Sequence, residues 1–138
     1  MSCTVLATNT NLHKWHKSDS KYCIYCNREH TTTSEHLLSK CLHIIPLWQK
    51  LNIYFQKDID WPLIITGNTL SISQHHIITI LCFELYKKFL QDRVNHVKQN
   101  ILAYMKSTLK CVVARYSHIP SNVTLVIALN EVIDILST

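Results

Sequence analysis

The chain has 138 residues, 47% of them hydrophobic, which is enough for one domain or for a small metal module joined to one helical domain. Fourteen Lys and Arg against nine Asp and Glu give a formal charge of +5, which permits contact with phosphate backbones without requiring it. A single glycine and three prolines argue against a fold of tight hairpins, and no apolar run reaches the roughly twenty residues that a membrane-spanning helix needs.

Residues 1–20 read as a flexible basic arm. The opening MSCTVLATNT lacks a basic n-region followed by an apolar stretch and a small-residue cleavage site, so an intracellular setting is expected, nucleus or cytoplasm, with reduced cysteines and no secretion. The arm ends in His13, Lys14, Trp15, His16 and Lys17. A basic cluster around an aromatic ring can stack on a base and pair with phosphate, although Trp15 can equally dock on the core.

Residues 21–57 carry the distinctive chemistry. Within YCIYCNREHTTTSEHLLSKC, the residues Cys23, Cys26, His36 and Cys41 form a C-x2-C-x9-H-x4-C array. Two cysteines separated by two residues can aim both sulfurs at one ion, and a His and a Cys from a short helix complete the four N/S donors of a tetrahedral zinc site. His36 alone has the x4 spacing to Cys41, while His30 and His43 flank the array as alternative third ligands. Thr33 or Ser34 can cap the helix, and Glu35 suits its positive end. His36 and Cys41 lie five positions apart, which fits a helix that frays at its end. Pro46 then opens a second helix, whose apolar face is Leu47, Trp48, Leu51, Tyr54 and Phe55. Trp48 is expected to pack on the metal module, which is too small for a core of its own. Cys3 falls in the arm, and Cys82 and Cys111 read as core residues.

Residues 58–70, with Pro62 and Gly67, read as a linker, and residues 71–138 as a helical domain. Ser71 or Ser73 can cap a helix with the apolar stripe Ile77, Ile80, Leu81, Leu85 and Phe89, leaving Lys87 and Lys88 solvated. A break is expected near residues 91–95. Val94, Val97, Ile101, Leu102, Met105, Leu109 and Val112 then continue the period in a second long helix, antiparallel to the first because that buries more surface than one rod of roughly 65 Å. Lys98, Lys106, Lys110 and Arg115 lie near one side of it, as a solvated face or a basic stripe. Pro120 stops this helix, and Ser121 or Asn122 opens a last one through Leu129, Val132, Ile133 and Leu136. Residues 124–127 also suit a short strand, being rich in branched side chains. The expected fold is therefore mainly α, a small zinc-knuckle-like module followed by a bundle of about three to four helices.

The residues Cys23, Cys26, Glu35, His36, Leu37, Leu38, Cys41, Leu47 and Trp48 resemble the zinc-binding domain that follows the reverse transcriptase in non-LTR retrotransposon polyproteins. The likeness covers about residues 20–55, and the helical remainder resembles the tail of such elements only loosely. It implies one structural Zn²⁺ on Cys23, Cys26, His36 and Cys41, and a role in handling element RNA or target DNA beside a polymerase or endonuclease.

A nucleic-acid-binding accessory module is the function expected from these features, with contacts from Lys14, Trp15, Lys17, Lys21, Arg28 and Lys40. The partners would be RNA or DNA, and a retroelement reverse transcriptase or another protein. The alternative is a protein-interaction module that uses the same structural zinc without touching nucleic acid. No polymerase or nuclease constellation is legible, so no enzymatic activity is expected. Glu29 or Glu35 could act as a base beside an open zinc, but a fourth protein ligand closes the site.

Overall fold

The computed structural model describes residues 23–26, 33–95 and 100–138. About three quarters of them are helical and none lies in a strand, as the mainly α expectation requires. The elements are α1 (His36–Lys40), α2 (Ile45–Phe55), α3 (Trp61–Thr66), α4 (Ile72–Asn95), α5 (Ile101–Tyr116) and α6 (Val123–Leu136), with a 3-10 turn, Pro120–Asn122, before α6.

Local chemistry sets most of the boundaries. Pro46 occupies the first turn of α2, where its missing N–H has no helical partner to lose. Asp60 caps α3 by accepting the Leu63 N–H at 2.9 Å, and Asn100 caps α5 through Ala103 at 3.0 Å. Ser71 and Gln74 form a capping box at α4: the Gln74 N–H donates to Ser71 Oγ, and the Ser71 N–H donates to Gln74 Oε1. The only glycine, Gly67, ends α3 with φ +68°. A Cβ there would lie 2.8 Å from the imidazole of His75, whose Nε2 meets the Ile64 carbonyl at 3.1 Å. Both the backbone and the neighbouring ring therefore require glycine.

One core joins all of these elements. The stripe Ile77, Ile80, Leu81, Leu85 and Phe89 is buried as expected, and so are Leu47, Trp48, Leu51 and Phe55 on α2 and Leu129, Val132, Ile133 and Leu136 on α6. α6 packs on α5 and α2, and α4 touches α1, α3, α5 and α6. Glu84 approaches Arg115, while Lys88 approaches the ring of Tyr104, so α4 and α5 run antiparallel. Residues 58–70 hold α3, with Ile59 and Ile64 in the core, and are tied back where Asn52 Oδ1 accepts the Ile59 N–H at 2.8 Å and Lys57 Nζ donates to the Thr69 carbonyl.

Four sequence expectations need correction. Residues 91–95 are helical rather than a break, and Val94 belongs to α4 rather than to the second long helix, because α4 runs on without a proline or glycine to end it. Residues 124–127 are helical, because α6 lies between α5 and α2 and buries Leu125 and Leu129 at helical spacing. Cys111 is exposed on α5, one residue off the buried line Met105, Leu109 and Val112. Lys88 is only 1% exposed. The reason is that α4 is the central helix, covered on more sides than a single apolar stripe anticipates, so Lys88 and Asp92 turn inward alongside Ile78 and Cys82. Cys3, Val97, Lys98 and the arm of residues 1–20 lie outside the described residues.

Candidate metal centre

Cys23 and Cys26 stand at the two ends of a turn, with the Tyr25 N–H donating to Cys23 Sγ at 3.4 Å. The other two donors come from α1. Thr33 Oγ1 accepts the His36 N–H at 3.1 Å and its carbonyl accepts the Leu37 N–H at 2.9 Å, which starts the helix. The helix is π-wound, and its closing bond runs from the Cys41 N–H to the His36 carbonyl at 2.7 Å. This explains the x4 spacing. At 3.6 residues per turn, side chains five apart diverge by about 140° around an α-helix. The wider i→i+5 ring brings them closer to one side, so broad winding rather than end fraying presents His36 and Cys41 together. The Trp48 indole N–H donates to the Leu38 carbonyl at 2.8 Å, which fastens the turn to α2 and bears out the expected docking of Trp48.

The four donor atoms lie within 4.8 Å of one another. Cys23 Sγ is 3.8 Å from Cys41 Sγ, and Cys26 Sγ is 3.4 Å from both Cys41 Sγ and His36 Nε2. All four residues are buried. This is a Cys3His group able to hold one metal ion. The thiols share their protons unequally. Hydrogen bonding from Cys41 holds Cys23 down to about 3. The same hydrogen bond pushes Cys41 far up, and burial raises Cys26. One thiolate is thus accommodated readily, whereas further ionisation waits for a compensating cation.

His43 is not among the donors. Its ring stacks on Tyr25 with centroids 4.2 Å apart and planes 10° from parallel, and its Nε2 lies 3.3 Å from Lys88 Nζ. The Tyr25 hydroxyl donates to Asp92 Oδ2 at 2.7 Å, and Lys88 forms a buried ion pair with the same oxygen. Sequence reasoning passed over Tyr25, Lys88 and Asp92. The available signal was the i, i+4 Lys–Asp spacing, which on most helices marks a solvated pair.

Lys40 is exposed and pairs with Glu35 at 3.1 Å, next to Cys41 in sequence. Glu35 is therefore on the surface rather than among the metal donors. Lys14, Trp15, Lys17, Lys21, Arg28, Glu29 and His30 lie outside the described residues. Among the described residues, no helix is long and apolar enough to cross a membrane.

Fold and site together define a mainly helical protein with a buried Cys3His cluster beside its first helices. Comparison with known proteins finds no matching family model, curated protein or solved structure.

Proposed function

We propose that this chain is a nucleic-acid-binding accessory module stabilised by one structural Zn²⁺ on Cys23, Cys26, His36 and Cys41, of the kind that the resemblance to retroelement reverse-transcriptase zinc-binding domains suggests. The observation that carries the metal reading is the donor spacing. A tetrahedral ion with Zn–S bonds of about 2.3 Å and a Zn–N bond of about 2.0–2.1 Å sets its sulfurs about 3.8 Å apart and its sulfur and nitrogen about 3.6 Å apart. Three of the donor spacings here, 3.8, 3.4 and 3.4 Å, are near those of that small tetrahedron, and all four donors fall within 4.8 Å of one another. Three thiolates with one imidazole suit zinc, and four protein donors leave no open position for water or substrate, so the ion's contribution is to hold the fold.

The nucleic-acid reading is supported by the formal charge of +5, about +4 once three thiolates and one Zn²⁺ are counted, by the basic and aromatic cluster at Lys14, Trp15 and Lys17, and by Lys21 and Arg28, each two residues from a ligand in sequence. Lys40 adds a cation whose exposed pair with Glu35 is weak enough to exchange for a phosphate. A second reading, docking of a protein partner, is favoured by the exposed apolar side chains of Ile119, Val123 and Ile127, the last two one turn apart on α6.

The first measurement is the metal content of protein purified without added zinc, for the wild type and for a Cys26→Ser, His36→Ala double variant. One ion per chain in the first and none in the second is the expected result. Binding to single- and double-stranded RNA and DNA should then weaken steeply with salt, as counterion release requires. Binding that ignores salt, or no binding, would move the function to the protein-docking reading.

A further inference from the structure

Two side chains link the metal centre to α4, one from each half of the donor set. Tyr25 lies between Cys23 and Cys26, and His43 lies two residues beyond Cys41, so the ligands fix where both begin. They converge on one buried ion pair. Asp92 Oδ2 receives the Tyr25 hydroxyl and the Lys88 ammonium, and Lys88 Nζ also sits 3.3 Å from His43 Nε2. The stacked rings of Tyr25 and His43 close this arrangement, and Lys88 Nζ lies 5.0 Å from the Tyr25 centroid and 5.4 Å from that of Tyr104 on α5. Lys88 is 1% and Asp92 5% exposed.

We propose that Lys88 and Asp92 are positioning residues of the metal centre, acting through Tyr25 and His43 to hold both halves of the donor set in register on the helical body. The inference rests on the metal reading above. A buried ion pair is a poor device for stability alone, because apolar side chains of the same volume usually serve as well or better. Here the pair has a geometric use. The carboxylate orients the tyrosine of the Cys23–Cys26 turn, and the ammonium faces the imidazole that follows Cys41. Groups bonded directly to a metal ligand commonly tune affinity by about 10–100-fold, and Lys88 and Asp92 act one contact further out, through Tyr25 and His43. The coupling is reciprocal: an ion that fixes Tyr25 and His43 also keeps Lys88 and Asp92 covered.

The test is chelator competition and the rate of zinc release on the full chain, with helicity followed in parallel. Lys88→Met should weaken zinc binding severalfold, less than the roughly 10–100-fold loss usual for a group bonded directly to a ligand. Tyr25→Phe, which keeps the ring and loses only the bond to Asp92, should weaken it less but measurably and speed release. Lys87→Met, one residue away and half-exposed, and Leu129→Ala, a core change far from the ligands in sequence, should leave the folded protein's affinity unchanged. Should Lys88→Met fail to fold, Tyr25→Phe decides alone. Wild-type affinity and release in the variants that fold would overturn the positioning role while leaving the zinc reading intact. A wild type that binds no zinc would overturn both.

Discussion

Among the described residues between Cys23 and Ile44, those buried are three thiols, one imidazole and the aliphatic chains of Leu37, Leu38 and Ile44, whereas α2 to α6 bury long periodic lines of Leu, Ile, Val and Phe. The first region places donors at one point and leaves little apolar surface to hold them there. The second needs no particular atom at any point, only continuous burial at helical spacing. The metal region therefore depends on bonds that an ion would supply, while the body depends on area, and removing one group has different consequences in each.

The largest expected effect is in the first region. Cys41→Ser removes a donor that lies within 3.8 Å of two others and should abolish stoichiometric metal binding, read by elemental analysis. In the wild type, titration of zinc-free folded protein near neutral pH should release about two protons per ion, since Cys26 and Cys41 keep theirs until the cation arrives. Affinity accordingly falls as pH falls. In the second region, truncating the fully buried Leu129 of α6 by Leu129→Ala should cost about 2–5 kcal/mol in denaturant unfolding without changing the folded protein's metal affinity. A parallel loss of affinity would mean that the two regions are less separable than their cores suggest.

Smaller effects probe the joints. Gly67→Ala places a Cβ against His75 at positive φ and should destabilise by about 1–3 kcal/mol, visible as a lower denaturant midpoint. Tyr54, whose hydroxyl donates to Glu131 at 2.7 Å, links α2 to α6, and burial followed by that carboxylate pushes its pKa up to about 12. A raised folded pKa means that its contribution is complete below pH 10 and fades as pH rises toward about 12. Tyr54→Phe should therefore flatten part of the alkaline loss of stability over that interval, measured by pH-dependent unfolding.

The helical stripes and the donor array were legible because both depend on spacing within short stretches of chain. Ile77 to Phe89, Leu129 to Leu136, and Cys23, Cys26, His36 and Cys41 needed no distant partner to be recognised. The failures have a shared cause. Lys88 was read as solvated because its helix was given one buried face, Cys111 as core because one residue of helical phase was undetermined, and residues 124–127 as strand-compatible because branched side chains suit either state. The π winding of α1 was also hidden, although the x4 interval between His36 and Cys41 is its trace.

By itself, then, the sequence determined the helical class, the placement of most helices and the identity of the metal-competent donors, since periodicity and ligand spacing are local properties. Only the tertiary structure decided which helix lies at the centre. That choice turned Lys88 and Asp92 inward to meet Tyr25 and His43, because burial is set by everything packed around a helix and not by the pattern on its own surface.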